Sequence, residues 1–243
     1  MFRHLLLLSA LVLTVSAHTA MSNLLINSTK LDEGLCIRPH GVSDRNTPVW
    51  DPSSDQMRCR TTSMDPQDTA ICDIQAGKNI TVEFHKSGTT GKVISDSHKG
   101  PCLVYMSPME YNGEGPVWFK IYEDGYDAET KQWCVTKLIA NDGKLSVNIP
   151  EDIKPGPYLL RAELIALHNA RSEYKAGSSG SGAQYYLNCA QVQVYGSGSA
   201  TPDGVSIPGV YKADDPGLVF NIYNKTIDSY PIPGPTVYVA GSQ

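Results

Sequence analysis

The first group with distinctive chemistry is a histidine that cleavage would leave at the start of the chain. Leu5 to Val15 is an apolar run behind the single charge of Arg3. Val15 and Ala17 put small residues at the two positions a signal peptidase reads, so residues 1–17 read as a leader and His18 as the first mature residue. Cutting after Ala20 instead would put His18 where a small residue is wanted. A terminal histidine offers its α-amine and its Nδ1 together, and the two close a chelate ring around one metal ion. One further imidazole completes a planar T of three nitrogens, which suits Cu(II) and is acceptable to Cu(I), so the ion can cycle. The amine binds only when deprotonated, and the metal lowers its proton affinity.

The second imidazole must come from His40, His85, His98 or His168. His98, in Ser97-His98-Lys99-Gly100-Pro101, is the preferred partner, because Gly-Pro fixes the chain direction just beyond it and a strand from Cys102 to Met106 follows. His40 lies in a loop between Pro39 and Gly41, and His85 ends a strand beside Lys86. His168 closes a long apolar segment, where an orienting role suits it better than ligation. Tyr186 could give a weak axial oxygen, with a plain core or surface tyrosine as the alternative.

These groups need rigid elements. Asn79 to Phe84 alternates Ile80, Val82 and Phe84 with polar neighbours, as do Val117, Phe119 and Ile121, then Leu145, Val147 and Ile149, then Val192 and Val194. Such alternation marks half-buried strands. Tyr158 to His168 is apolar at both phases, as a strand buried on both faces is; Arg161 and Glu163 share one side of it and could neutralise each other. A helix is the competing reading of this segment. Gly- and Pro-rich joints separate the runs, and no segment keeps a helical period for long. The pattern is all-β, a sandwich with long loops.

Composition narrows the function. The chain of 243 residues carries a net charge of −5 and no basic stripe, so nucleic acid is not an expected partner; no later run is long enough to span a membrane. Six cysteines without a C-x-x-C pair suggest three disulfides in a secreted protein rather than a zinc ribbon or redox motif. Asn27, Asn79 and Asn224 fit the N-glycosylation acceptor. No pair of carboxylates sits as a glycoside hydrolase needs, and no serine nucleophile has its strand–turn–helix context.

Taken in order, His18-Thr19, Ser54-Asp55-Gln56-Met57-Arg58-Cys59, Ser97-His98-Lys99-Gly100-Pro101, Trp118-Phe119-Lys120-Ile121, PYLLRAELIALHNA from Pro157, GAQYYLNCAQ from Gly182, Asn221-Ile222-Tyr223 and Pro231-Ile232-Pro233-Gly234-Pro235 span the mature chain. In these residues the chain resembles the fungal lytic polysaccharide monooxygenases of auxiliary-activity family nine, formerly filed among glycoside hydrolases. The resemblance implies an immunoglobulin-like or fibronectin-III-like β-sandwich; residues 18–243 are expected to form a single catalytic domain, and as the sequence shows no Ser/Thr/Pro linker no appended carbohydrate-binding module is expected. It implies one copper ion held by His18, His98 and an axial Tyr186, with His168 and Gln184 hydrogen-bonding oxygen species beside it. Tyr223 matches a surface tyrosine that stacks on sugar. The implied reaction takes an electron from a small reductant or redox protein and O2 or H2O2, abstracts hydrogen at C1 or C4 of cellulose or a related β-glucan, and so breaks the chain. A secreted, extracellular monomer is expected.

The resemblance also pairs Cys59 with Cys189. Cys36, Cys72, Cys102 and Cys134 allow three pairings, of which Cys36–Cys72 with Cys102–Cys134 is preferred. Ala162 stands where many relatives have His. The alternative from another class is a secreted copper-binding protein of the same fold without polysaccharide oxidation.

Overall fold

A computed structural model describes residues 18–40, 45–61, 64–65, 69–86, 92–178 and 180–242; the expected leader, residues 1–17, lies outside them. The strands run β1 (Ala20–Ile26), β2 (Thr29–Asp32), β3 (Cys72–Gln75), β4 (Asn79–His85), β5 (Cys102–Pro108), β6 (Pro116–Asp124), β7 (Tyr126–Asp127), β8 (Gln132–Trp133), β9 (Lys144–Asn148), β10 (Gly156–Ala166), β11 (Gln184–Tyr195) and β12 (Val205–Ser206), with one helix, α1 (Cys134–Ala140), among the described residues. They form a four-stranded sheet in the order β2-β1-β4-β9, a six-stranded sheet β12-β6-β5-β10-β11-β3, and a small β7-β8 pair.

The two large sheets pack face to face. Met21, Leu24, Val82, Phe84 and Val147 from one meet Val104, Met106, Leu160, Leu164 and Val192 from the other, all buried in one cluster. The six-stranded sheet is buried on its other face as well, where Leu103, Tyr105, Leu159, Ile165, Tyr185 and Leu187 lie beneath Ile207, Tyr211, Leu218 and Tyr230 of the long C-terminal stretch. This explains why Tyr158 to His168 has no polar phase: β10 is a central strand, paired with β5 and β11 on either side. Strand rather than helix is the outcome, and the alternating runs at Ile80, Val117, Leu145 and Val192 fall in β4, β6, β9 and β11.

The polar exceptions on that outer face are paired. Arg161 and Glu163 project from it two residues apart, joined by two hydrogen bonds of 2.9 and 2.8 Å. Both side chains are fully buried. Arg161 Nε also donates to the carbonyl of Met57 at 2.9 Å, and the Tyr211 hydroxyl donates to Glu163 Oε2 at 2.6 Å. Removing one partner strands the other charge, so Glu163→Gln is expected to destabilise by about 3–5 kcal/mol. The check is a lower denaturation midpoint at unchanged slope in urea.

Sequence patterning does not anticipate α1. Its seven residues make two turns, too few for a 3.6-residue period to stand out from a strand-like run, and its buried residues are Cys134, Val135 and Leu138. The disulfides are Cys36–Cys72, Cys59–Cys189 and Cys102–Cys134, in agreement with the preferred pairing.

Candidate active site

The expected site residues arrive at one end of the sandwich from both sheets. His18 precedes β1 in the smaller sheet, whereas His98 precedes β5, His168 follows β10, and Gln184 and Tyr186 open β11 in the larger one. Register brings the last three elements level: Cys102 is opposite Leu164, which is opposite Tyr186.

The rings converge. His18 and His98 have centroids 5.7 Å apart and nearly perpendicular planes at 84°. Tyr186 lies 5.9 Å from each of them. His168 stands 4.1 Å from His98. Gln184 and Tyr186, two residues apart and so on one face of β11, are joined by a 2.7 Å hydrogen bond from the phenol to Gln184 Oε1.

Protonation is set by burial. His98 is 3% exposed, and desolvation first, then the neighbouring His168 and His18, push its pKa down to about 3. The imidazole is therefore neutral, with one ring nitrogen carrying a lone pair. His98 Nδ1 faces the Ser97 hydroxyl at 3.1 Å, while its Nε2 is buried without a hydrogen-bond partner. His168 is lowered too, by burial and then His18, and its Nδ1 is likewise buried and unpartnered. Burial raises the Tyr186 phenol, with Arg60 opposing, so that it stays protonated. Among the described residues no three His, Cys, Asp or Glu side chains group to hold a metal.

The other two histidines are used elsewhere. His40 Nδ1 lies 2.8 Å from Glu33, and His85 Nδ1 lies 3.0 Å from the Ser22 hydroxyl. Sequence reasoning missed Ser97 as the group that holds His98, although it is the adjacent residue, and it missed Arg60. Tyr223 is 54% exposed. Asn27, Asn79 and Asn224 are all exposed.

Gly100 holds the His98 turn against β10. Leu167 N–H donates to the Lys99 carbonyl at 2.9 Å, and Ile165 N–H to the Pro101 carbonyl at 3.1 Å. This close approach leaves no room for a side chain, since a Cβ at Gly100 would lie 1.9 Å from the Ile165 carbonyl oxygen. Gly100→Ala must push the turn off the strand, and is expected to cost about 1–3 kcal/mol, measured by thermal unfolding.

Comparison with known proteins then decides the lineage. The model of Auxiliary Activity family 9 (formerly GH61) matches residues 18–230, beginning at His18. The chain belongs to this family. Family 9 relatives include the lytic polysaccharide monooxygenase A of Aspergillus terreus, 42% identical over 98% of this chain and 64% of the relative, and that of Aspergillus tamarii, 43% identical over 98% and 61%. This family 9 chain thus spans a little under two thirds of the length of those curated relatives. Among solved structures, CvAA9A superposes with a TM-score of 0.83 at 36% identity, covering 91% of this chain and 98% of its own. A cellulose-active polysaccharide monooxygenase from M. thermophila gives 0.71 at 28%, covering 91% and 99%. The immunoglobulin-like β-sandwich of the family is the fold described above.

Proposed function

We propose that the protein, cleaved before His18 and exported, is a copper-dependent lytic polysaccharide monooxygenase that attacks cellulose or a related β-glucan with O2 or H2O2 and an external electron donor. The observation that carries this reading is the buried, neutral His98 with its unpartnered Nε2, facing His18 at 5.7 Å in a near-perpendicular arrangement. A buried polar atom left unsatisfied costs about 1–3 kcal/mol, and a ligand at that atom removes the cost. Two imidazoles and an amine are donors that suit copper, and family membership supports the same ion.

In this reading His18, through its amine and Nδ1, and His98, through Nε2, would hold the metal, with the protonated Tyr186 hydroxyl as a further oxygen beside it. When bound, copper supplies one-electron chemistry strong enough to activate oxygen against a C–H bond at C1 or C4. The chain's own residues do the rest. Ser97 accepts from His98 Nδ1–H, which leaves Nε2 as the lone-pair atom. Gln184 Oε1 accepts a hydrogen bond from the Tyr186 hydroxyl and leaves its amide nitrogen to donate to an oxygen species. His168, held neutral, can hydrogen-bond or pass a proton there. Tyr223 presents a ring for a pyranose. Asn27, Asn79 and Asn224 would carry glycans along the secretory route, and a monomer suffices because one chain supplies every group.

Products from phosphoric-acid-swollen cellulose test the proposal. Mass spectrometry is expected to find oxidised oligosaccharides only when copper and ascorbate are both present. Reducing-end products without copper would overturn it. Tight copper binding with no oxidised product would favour a copper-binding protein of the same fold.

A further inference from the structure

Tyr223 is held from two directions by the loop that follows His168. Its hydroxyl donates to the His168 carbonyl at 3.4 Å. The Arg171 guanidinium lies over the ring, Cζ 4.6 Å from its centroid. A third contact fixes the backbone, where Tyr223 N–H donates to Asn221 Oδ1 at 3.1 Å. Arg171 itself is exposed, and among the described residues no carboxylate forms an ion pair with it. Its guanidinium is thus committed to the ring face rather than to a counter-ion.

We propose that Arg171 is a positioning residue for glucan docking. It occupies one face of the Tyr223 ring and so presents the other, and it joins that ring to the loop carrying His168. An exposed tyrosine on its own samples several rotamers, and stacking a pyranose on it must first restrict them. Contacts already made in the free protein remove that ordering cost from binding. They also set the register, because the chain segment that holds the ring is the one whose His168 imidazole stands 4.1 Å from His98. A sugar stacked on Tyr223 is therefore placed relative to the histidines through a short, fixed path. The ligand class is a neutral pyranose chain with an axial C–H face. This inference rests on the function proposed above.

The test is binding of copper-loaded protein to phosphoric-acid-swollen cellulose without reductant, so that no turnover intrudes. Arg171→Ala is expected to weaken binding about two- to fivefold, the range for an exposed cation–π contact, and Arg171→Lys to recover part of the loss. Acting through the ring predicts a specific coupling. Arg171→Ala should still weaken binding in a Tyr223→Phe background, which keeps the ring, and should change nothing in a Tyr223→Ala background. Wild-type affinity in Arg171→Ala overturns the proposal, as does an equal loss with and without the ring, which would mean Arg171 meets the glucan directly. If wild type binds cellulose yet releases no oxidised product, the monooxygenase reading falls and the positioning role stands. If wild type binds no β-glucan, the positioning role falls.

Discussion

Replacing His98 by alanine is expected to abolish reductant-dependent oxidation and to lower copper affinity by more than about 100-fold. The magnitude follows from what ligand-orienting groups alone are worth. Losing a residue that merely orients a metal ligand costs about 10–100-fold in affinity, and His98 would be the ligand. Two further facts make the site intolerant of the loss. The imidazole is buried and neutral at pH 7, its pKa pushed down to about 3 by desolvation and by the neighbouring His168 and His18. Neither His40 nor His85 can swing in, since His40 is engaged by Glu33 and His85 by Ser22. Copper titration followed by thermal unfolding checks the result. A ligand at 1,000 times its dissociation constant stabilises the folded state by about 4 kcal/mol, and at the same copper concentration a 100-fold weaker site leaves about 1.4 kcal/mol or less for His98→Ala. Retained turnover or an undiminished copper-induced gain would contradict the assignment.

A single extra residue before His18 is expected to do comparable damage without changing any side chain. The α-amine becomes a peptide nitrogen, whose lone pair is delocalised into the carbonyl and whose N–H is a donor. His18 can then offer Nδ1 alone, and the second donation from the same residue, with the effective concentration that tethering gives, disappears. Loss of such an intramolecular second contact lowers binding by about 10²–10⁴-fold. Comparing protein cleaved before His18 with protein carrying one added alanine isolates the amine. Full copper affinity and full activity in the extended form would refute the chelate.

Particular residues show what was legible in the sequence. The strands were readable where burial is one-sided, because a two-residue period then writes itself into the side chains, as at Ile80, Val82 and Phe84. β10 was readable for the opposite reason: with both faces covered it has no polar phase, and Arg161 and Glu163 stand in the wrong environment unless they neutralise each other. What composition could not carry was pairing. The parallel contact of β3 with β11 joins segments more than a hundred residues apart, and nothing local in Cys72–Gln75 encodes its direction. At the site, His18 was legible because termini have a chemistry of their own, and His98 because Gly100 and Pro101 mark a tight turn. Tyr186 and Gln184 were found through family likeness, since their partnership depends on the two-residue spacing of a strand that also buries ordinary tyrosines, such as Tyr185. Arg171 was not legible at all. Its contact with Tyr223 spans a loop whose path no short-range pattern fixes.

His18 and His98 descend from different layers, one entering β1 of the smaller sheet and the other leading into β5 of the larger. In the proposed function an ion held by both would be a rivet between the two layers at that end of the sandwich. Sliding of one sheet over the other would have to break metal–nitrogen bonds before it disturbed the core. Such a rivet would make copper affinity sensitive to how the two layers sit against each other.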